Sequence, residues 1–258
     1  MSYLESNKKF WDKWSKEKGP WSTASAKELI DKARSGRIEI FVTTEKLVPE
    51  TWLPKNWTGL EVLGLAAAGG QQIPILAAAG ANVTSFDFSI EQLQRDIEVC
   101  EREGLKIYTK QGEMENLNCF DNESFDLIIN PVSTCFTSNV KQVWKEAYRV
   151  LRKGGALIAG FNNPIVYALD LTEYEKKEMK LKYSIPYSDI DALSQEELLK
   201  KKEQSDSLEF GHSLSDLIGG QIEAGFKIDG FYEDYWGKKF NETIDTIFPQ
   251  FIATKGIK

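Results

Sequence analysis

Blocks of apolar and polar positions alternate between residues 58 and 161 and predict strands and helices in turn. Periodic apolar residues predict helices over 72–79, 89–104 and 139–153. Ser89 is placed to cap the second of these helices, and Gly104 to end it. Short apolar runs predict five strands: EVLGL (61–65), NVTSFD (82–87), KIYTKQ (106–111), SFDLIIN (124–130) and ALIAGF (156–161). This alternation predicts an α/β, Rossmann-like, doubly wound parallel sheet.

The outer regions break this rhythm and divide the chain into four predicted parts. Residues 1–57 form a helical lead-in, whose Phe10 and Trp14 are expected to pack as an apolar face, with a flap over a ligand as the alternative. Residues 58–161 form the core. Residues 162–212 are too long and polar for an ordinary connection, so they predict an inserted lid after strand five. Residues 213–258 add a helix and two strands, which complete a seven-stranded sheet whose last strand is antiparallel.

Composition limits the classes of partner and the cellular location that the sequence predicts. The 258 residues carry a net charge of −7, which disfavours a nucleic-acid partner. No apolar run is long enough to span a membrane, and the first residues lack a secretory signal, so a cytoplasmic protein, monomeric or homodimeric, is expected. Cys100, Cys119 and Cys135 match no metal-ligand spacing, so they are expected to be buried small hydrophobes and no metal site is predicted.

The loop after the first strand is the first place to look for a ligand. Parallel sheets bind ligands beyond the carboxyl ends of their strands, and small residues let a ligand approach the backbone there. Asp87 ends the next strand, where a carboxylate can accept hydrogen bonds from two ribose hydroxyls. The loop positions proposed to contact a cofactor are Ala66, Ala68, Gly69, Gly70 and Gln71. Small residues also let a helix pack closely on a strand, so the loop alone is weak evidence.

The run GLAAAG (64–69) fits the dinucleotide fingerprint loosely, which keeps an NAD(P)-dependent oxidoreductase open as an alternative. Two later segments point elsewhere. QGEMENLNCFDNESFDLIINPVS (111–133) and VWKEAYRVLRKGGALIAGF (143–161) resemble the class I S-adenosylmethionine-dependent methyltransferases, in the branch of small-molecule methyltransferases of the ubiquinone-biosynthesis type. Segments from residue 159 onward resemble a group of uncharacterised bacterial methyltransferases.

That resemblance implies S-adenosyl-L-methionine as cofactor, S-adenosyl-L-homocysteine as product and methyl transfer to a small molecule. It implies a ribose site, an adenine site and a site near the transferred methyl group. The residues in these places are Asp87, Phe88 and Ser89; then Gly112, Glu113 and Met114; and then Asn130, Pro131 and Val132.

The first loop departs from the family pattern D/E-x-G-x-G-x-G. Gly64 replaces the acid, and Ala66 and Ala68 replace two glycines. Because alanine disfavours positive φ, the cofactor's methionine end is expected to be held differently. A catalytically weak S-adenosylmethionine-binding protein is therefore a second alternative.

For the acceptor, the sequence offers one general-base hypothesis and a set of pocket residues. His212 is the single histidine and precedes a predicted helix, so it is the base hypothesis, against a structural role at the helix start. The residues proposed to line a substrate pocket, suited to a planar acceptor or a cation, are Trp21, Asn162, Tyr167, Tyr183 and Trp236.

Overall fold

Seven strands form one sheet in the computed structural model, which describes residues 2–170, 179–237 and 247–258. These strands are β1 (Glu61–Leu65), β2 (Asn82–Asp87), β3 (Tyr108–Gln111), β4 (Phe125–Asn130), β5 (Leu151–Asn162), β8 (Lys227–Asp234) and β9 (Phe251–Ile257). Strands β6 (Tyr187–Ser188) and β7 (Phe210–Gly211) form a separate two-stranded antiparallel sheet.

The strand order is β3-β2-β1-β4-β5-β9-β8. Strands β1 to β5 pair in parallel, and β9 runs antiparallel between β5 and β8. The chain builds outward from β1 to β3 and then returns to add β4 on the other side. The order therefore reverses between β1 and β4, where open α/β sheets bind their ligands. The predicted fold class, including the antiparallel last strand, is confirmed.

Helices cover both faces of the sheet. They are α1 (Tyr3–Lys16), α2 (Lys27–Arg34), α3 (Gln72–Ala78), α4 (Ile90–Glu103), α5 (Val140–Val150), α6 (Asp189–Ala192), α7 (Gln195–Glu203) and α8 (Gly220–Ala224). Helices α2 and α3 pack in one apolar layer, and α5 packs with α8 in the other. Because both faces are covered, β1 and β4 are nearly continuous buried runs.

Local signals set the helix ends where the sequence indicates them. The Ser89 hydroxyl accepts a hydrogen bond from Gln92 N–H at the start of α4, and Gly104 ends that helix with a φ of 66°. Helix α5 is shorter than predicted, since Val150 is its last residue and β5 begins directly at Leu151. The helix predicted in residues 213–258 is instead a π-helical turn (Ser215–Gly219) followed by α8.

The segments outside the core are only partly helical. Residues 35–49 of the N-terminal region contain no helix and include a bridge between Phe41 and Leu47. Within the predicted lid, the structure describes α6, α7 and the strands β6 and β7, whereas residues 171–178 lie outside the described ranges. The connection between β8 and β9 also lies largely outside them. The four-part division of the chain stays a prediction.

Candidate functional site

A cavity of about 740 Å³ runs along the carboxyl edge of the sheet. This volume lies within the range of roughly 300–1,000 Å³ that is typical of small-molecule sites. One part of the cavity, here called the β1–β3 end, is lined by residues that follow those strands, namely Ala66, Ala67, Ala68, Asp87, Phe88, Gly112, Glu113 and Met114. The other part, the β4–β9 end, is lined by Ser133, Cys135, Phe136, Asn162, Glu209, Trp236 and Phe251.

The loop after β1 holds an unusual backbone conformation. Ala66 adopts a φ of +47°, a region that costs a residue with a side chain about 1–2 kcal/mol. Its N–H donates to the Phe86 carbonyl oxygen at 2.8 Å, which fixes the loop against β2. At Gly64, where the family pattern has an acid, a side chain would overlap the Ile73 side chain. The space that the acid would occupy is therefore filled by an apolar group from α3.

Gly69 and Gly70 anchor the loop to neighbouring segments and do not line the cavity. Gly70 N–H donates to Asp96 Oδ1 at 2.7 Å, and the Gly70 carbonyl oxygen accepts from Ser25 N–H at 2.7 Å. A side chain at Gly69, whose φ is +130°, would collide with the Trp21 carbonyl oxygen. Asp96 is fully buried in α4 and also accepts from the Ser85 hydroxyl at 2.6 Å. Burial raises the pKa of Asp96 to about 7.

Asp87 lies at the end of β2 and lines the cavity. Its Oδ1 accepts from Ser89 N–H at 2.9 Å. Burial raises the pKa of Asp87 to about 6, which means that the site partly desolvates this carboxylate. A carboxylate has about four acceptor positions, so Asp87 can accept further hydrogen bonds from ligand hydroxyls.

Most of the positions proposed for the cofactor line one surface of the cavity. Those that do are Ala66, Ala68, Gln71, Asp87, Phe88, Gly112, Glu113, Met114, Pro131 and Val132. The positions outside the lining are Gly69, Gly70, Ser89 and Asn130. Asn130 is buried and holds β4 to the β1 loop, because its Nδ2 donates to the Leu65 carbonyl oxygen at 2.7 Å and to Ser133 Oγ at 2.9 Å. Ser89 caps α4, and its hydroxyl donates to Asp12 of α1 at 2.6 Å.

The β4–β9 end contains a chain of three polar side chains. Asn162 Nδ2 donates to the Tyr167 hydroxyl at 2.6 Å, and that hydroxyl donates to Glu209 Oε2 at 2.7 Å. Asn162 and Glu209 line the cavity, whereas Tyr167 reaches it only through them. Of the other proposed substrate residues, Trp21 and Trp236 line the cavity. Tyr183 lies apart from it, with its ring against Tyr187 at a centroid distance of 5.1 Å.

His212 is not among the residues that line the cavity. Its Nε2 lies 3.0 Å from the Thr134 carbonyl oxygen and 2.9 Å from that of Thr137, so this nitrogen must carry a proton and donate it. Burial lowers the pKa of His212, which favours the neutral ring. This geometry supports the structural alternative, in which His212 holds the short turn after β4 in place.

Sequence comparison decides the family. A model of the methyltransferase domain matches residues 63–159. The chain is 46% identical over 252 residues to the uncharacterized methyltransferase YbaJ of Bacillus subtilis, covering 98% of this chain and 97% of that protein. The chain belongs to the class I S-adenosylmethionine-dependent methyltransferases.

Further relatives agree with this family. The chain is 33% identical over 115 residues to a sarcosine/dimethylglycine N-methyltransferase of Aphanothece halophytica, covering 43% of this chain and 40% of that protein. A putative S-adenosylmethionine-dependent methyltransferase from Listeria monocytogenes superimposes with a TM-score of 0.64 at 18% identity, over 81% of this chain and 94% of that one. At this identity the superposition shows the shared fold alone.

The residues of this methyltransferase fit the cofactor that the family uses. The loop after β1 presents only the small side chains of Ala66 and Ala68 to the cavity, and Asp87 offers a carboxylate at the end of the neighbouring strand. Glu113 lines the same surface. All the lining residues that carry a formal charge are acids, namely Glu39, Asp87, Glu113, Glu115 and Glu209, and none of the described lining residues is Lys or Arg. This suits a ligand that carries a sulfonium and an ammonium group.

Sequence reasoning missed two acids of the site. Asp96 and Glu209 each interrupt an apolar pattern: Asp96 follows Leu93 on the buried stripe of α4, and Glu209 stands between the buried Leu208 and Phe210. A single acid within an apolar run is the signal in the sequence, because burying a charged side chain costs free energy unless the charge is paired or hydrogen-bonded. Cys119 also differs from expectation, since its side chain is exposed, whereas Cys100 and Cys135 are buried.

Metal-binding clusters and membrane-spanning helices are both missing from the described residues. No group of three or more His, Cys, Asp or Glu side chains is arranged to hold a metal ion within residues 2–170, 179–237 and 247–258. None of the helices in those ranges has the length and apolar character needed to cross a membrane.

Proposed function

We propose that this protein binds S-adenosyl-L-methionine at the β1–β3 end of the cavity and transfers its methyl group to a small molecule held at the β4–β9 end. The observation that carries the proposal is the position of Asp87, which lines the cavity at the end of β2, next to the small-residue loop that follows β1. A ribose held there by Asp87 would lie along the surface formed by Phe88 and Gly112–Met114.

The bound cofactor supplies a methyl group that is already activated by a sulfonium, so the chain has to align the acceptor and exclude water. Orientation of this kind contributes roughly 7–11 kcal/mol in favourable cases. Helix α1 and residues 21–26 contribute to the cavity wall, with Trp11 and Trp21 among the lining residues. With both ligands bound, these residues would help to exclude solvent from the site. These contacts support the flap alternative for the N-terminal region, since the same helix that packs also encloses the cavity.

An acceptor that must lose a proton needs a carboxylate or another base within reach. His212 is not in the lining, and its Nε2 is occupied by two backbone carbonyl groups. Glu209 lies at the β4–β9 end and has an oxygen available. We therefore propose that His212 has a structural role and that any proton acceptor comes from the cavity lining itself.

Calorimetric titration with S-adenosylmethionine, S-adenosylhomocysteine and NAD⁺ tests the cofactor. Micromolar binding of the first two with no heat from NAD⁺ is the expected result. Binding of NAD⁺ alone would support the oxidoreductase alternative and overturn the proposal. If S-adenosylmethionine binds but no acceptor is turned over, the chain acts as a cofactor-binding protein. The cytoplasmic location and the monomeric or homodimeric state stay predictions.

A further inference from the structure

The Glu209 carboxylate is held in place by its surroundings, and no described Lys or Arg forms a direct ion pair with it. Tyr167 donates to Oε2, while Oε1 has no hydrogen-bond partner within the described part of the chain. The nearby Lys201 acts on Glu209 only through space, where its charge lowers the pKa of the acid, because its Nζ forms ion pairs with Asp189 at 3.1 Å and Asp206 at 3.4 Å.

The backbone around Glu209 is fixed from two sides. Asn7 of α1 forms two hydrogen bonds with the adjacent Leu208, accepting from its N–H at 2.7 Å and donating to its carbonyl oxygen at 2.9 Å. Glu209 N–H donates to Asp189 Oδ2 at 2.9 Å. The carboxylate is therefore positioned before any ligand arrives, which is the preorganisation that a binding group requires.

Aromatic rings line the same cavity as this acid. Trp11 and Phe136 meet edge to face at a centroid distance of 5.1 Å, and Trp236 lies 6.1 Å from Phe251. All four of these residues line the cavity. Aromatic faces attract cations, and the absence of described Lys and Arg from the lining leaves no group to attract an anion.

We propose that the methyl acceptor is an amine-bearing small molecule with an apolar or aromatic body, whose ammonium group pairs with Glu209 Oε1. Where the nitrogen itself takes the methyl group, the ammonium first gives one proton to the Glu209 carboxylate, and the freed lone pair then forms the N–C bond as the C–S bond breaks and S-adenosylhomocysteine leaves. This inference rests on the proposed methyltransferase function and adds the substrate class to it. The body of the molecule packs against Trp11, Phe136 and Trp236. Asn162 and Tyr167 are positioning residues that orient the carboxylate. Burial raises the pKa of Glu209, and an incoming cation relieves the cost of keeping that carboxylate charged.

Matched pairs of probes test the substrate class directly. The complex with S-adenosylhomocysteine is titrated with phenethylamine and 2-phenylethanol, with tryptamine and tryptophol, and with 3-phenylpropanoate. We expect each amine to bind at least about tenfold more tightly than its matched alcohol. The carboxylate should show no binding. Equal binding of amine and alcohol, preference for the carboxylate, or silence from both amines would overturn the inference.

Variants separate this inference from the cofactor proposal. Glu209→Gln keeps an acceptor for the Tyr167 hydroxyl but removes the charge, so the preference for amines is expected to vanish while S-adenosylhomocysteine affinity stays unchanged. Glu196→Gln on the exposed surface of α7 makes the same charge change and serves as the control. An amine preference that survives in Glu209→Gln would contradict the role of Glu209. If the unmodified protein does not bind S-adenosylhomocysteine, that result would contradict the proposed function instead.

Discussion

The two ends of the cavity are built in different ways. At the β1–β3 end, three consecutive strand-to-loop transitions supply short stretches of chain, and small side chains and backbone form much of the surface. At the β4–β9 end, the wall comes from α1, the turn after β4, the end of β5, the segment before β7 and the start of β9. Its polar groups are side chains held by other side chains, as Asn162, Tyr167 and Glu209 are.

This difference separates what the fold supplies from what the individual protein adds. A loop at the carboxyl end of β1 comes with any doubly wound sheet, so the β1–β3 end needs few special side chains. The β4–β9 end is built from side chains that are far apart in the sequence. Substitutions there can change which acceptor binds without changing the affinity for the cofactor. Variants at the two ends should therefore affect different ligands.

The largest effect is expected from Asp87→Ala. Loss of the carboxylate removes the acceptor proposed for two ribose hydroxyls, at about 1.5 kcal/mol each, so S-adenosylhomocysteine should bind at least about a hundredfold more weakly. The fold should persist, because burial of Asp87 already disfavours its charged form. Calorimetry measures the affinity, and thermal unfolding checks the fold.

Asp121→Ala provides the control for Asp87→Ala, since Asp121 is an exposed acid that lies outside the cavity lining. Cofactor affinity should not change in this variant. Cofactor affinity within a factor of two of the original in Asp87→Ala would remove Asp87 from the ribose site.

The second effect concerns stability and pH. The pKa of Asp96 is raised to about 7 from 3.8, so its proton stabilises the fold fully at low pH, and this contribution is lost as the pH rises through 7. Asp96→Asn has no such proton. The stability of the variant relative to the unmodified protein should therefore fall by about 2 kcal/mol between pH 8 and pH 5.

Urea unfolding at several pH values measures this difference. Since Asp96 holds the loop of the β1–β3 end through Gly70, the amide variant should keep the loop and change only its pH response. Parallel stability curves for the two proteins would show that Asp96 is ionised throughout this pH range.

The third effect tests the β4–β9 end. Tyr167→Phe removes the hydroxyl that links Asn162 to Glu209 but keeps the ring, which stacks on Tyr187 at a centroid distance of 5.5 Å. We expect amine affinity to fall about tenfold with no change in cofactor affinity. Tyr183→Phe, outside the cavity lining, should change neither affinity. A loss of cofactor affinity in Tyr167→Phe, measured without an amine, would show that Tyr167 also contributes to the β1–β3 end.

The smallest effect is expected at Ala66, whose φ is +47°. Ala66→Gly relieves about 1–2 kcal/mol of backbone strain but adds about 0.5–1 kcal/mol of lost chain entropy, so a net gain of about 0.5 kcal/mol is expected. Ala78→Gly, at the last residue of helix α3, should instead destabilise by up to about 0.5–1 kcal/mol. Chemical unfolding of both variants compares them. A destabilised Ala66→Gly would mean that the alanine side chain makes contacts worth more than the strain.

Much of the fold could be predicted because its signals are local. Strand β1, strand β2 and the caps of α4 follow from short runs and single residues such as Ser89 and Gly104. Most positions proposed for the cofactor line the cavity for the same reason, since each directly follows a strand. Gly69 and Gly70 were expected to face a ligand, but the sequence gives no sign that residues 21–25 cover them.

The β4–β9 end could not be predicted in the same way. Glu209 and Asn162 are far apart in the sequence and meet only through Tyr167, so no spacing rule connects them. An imidazole can act as a general base, which made His212 the base hypothesis. Its position, however, depends on the turn formed by residues 134–136. Side-chain chemistry identifies a group that can act, whereas only the fold decides whether that group reaches the ligand.

Helix α1 is tied to both ends of the cavity. Asp12 accepts from Ser89 beside the proposed cofactor site, and Asn7 holds Leu208 beside Glu209, so a single rigid element spans both sites. If this helix lifts to admit either ligand, it breaks both attachments at once. A first ligand that holds the helix closed thus reduces the free energy the second must spend on closure. The two ligands would then bind with positive cooperativity, and the coupling would be equal in both directions.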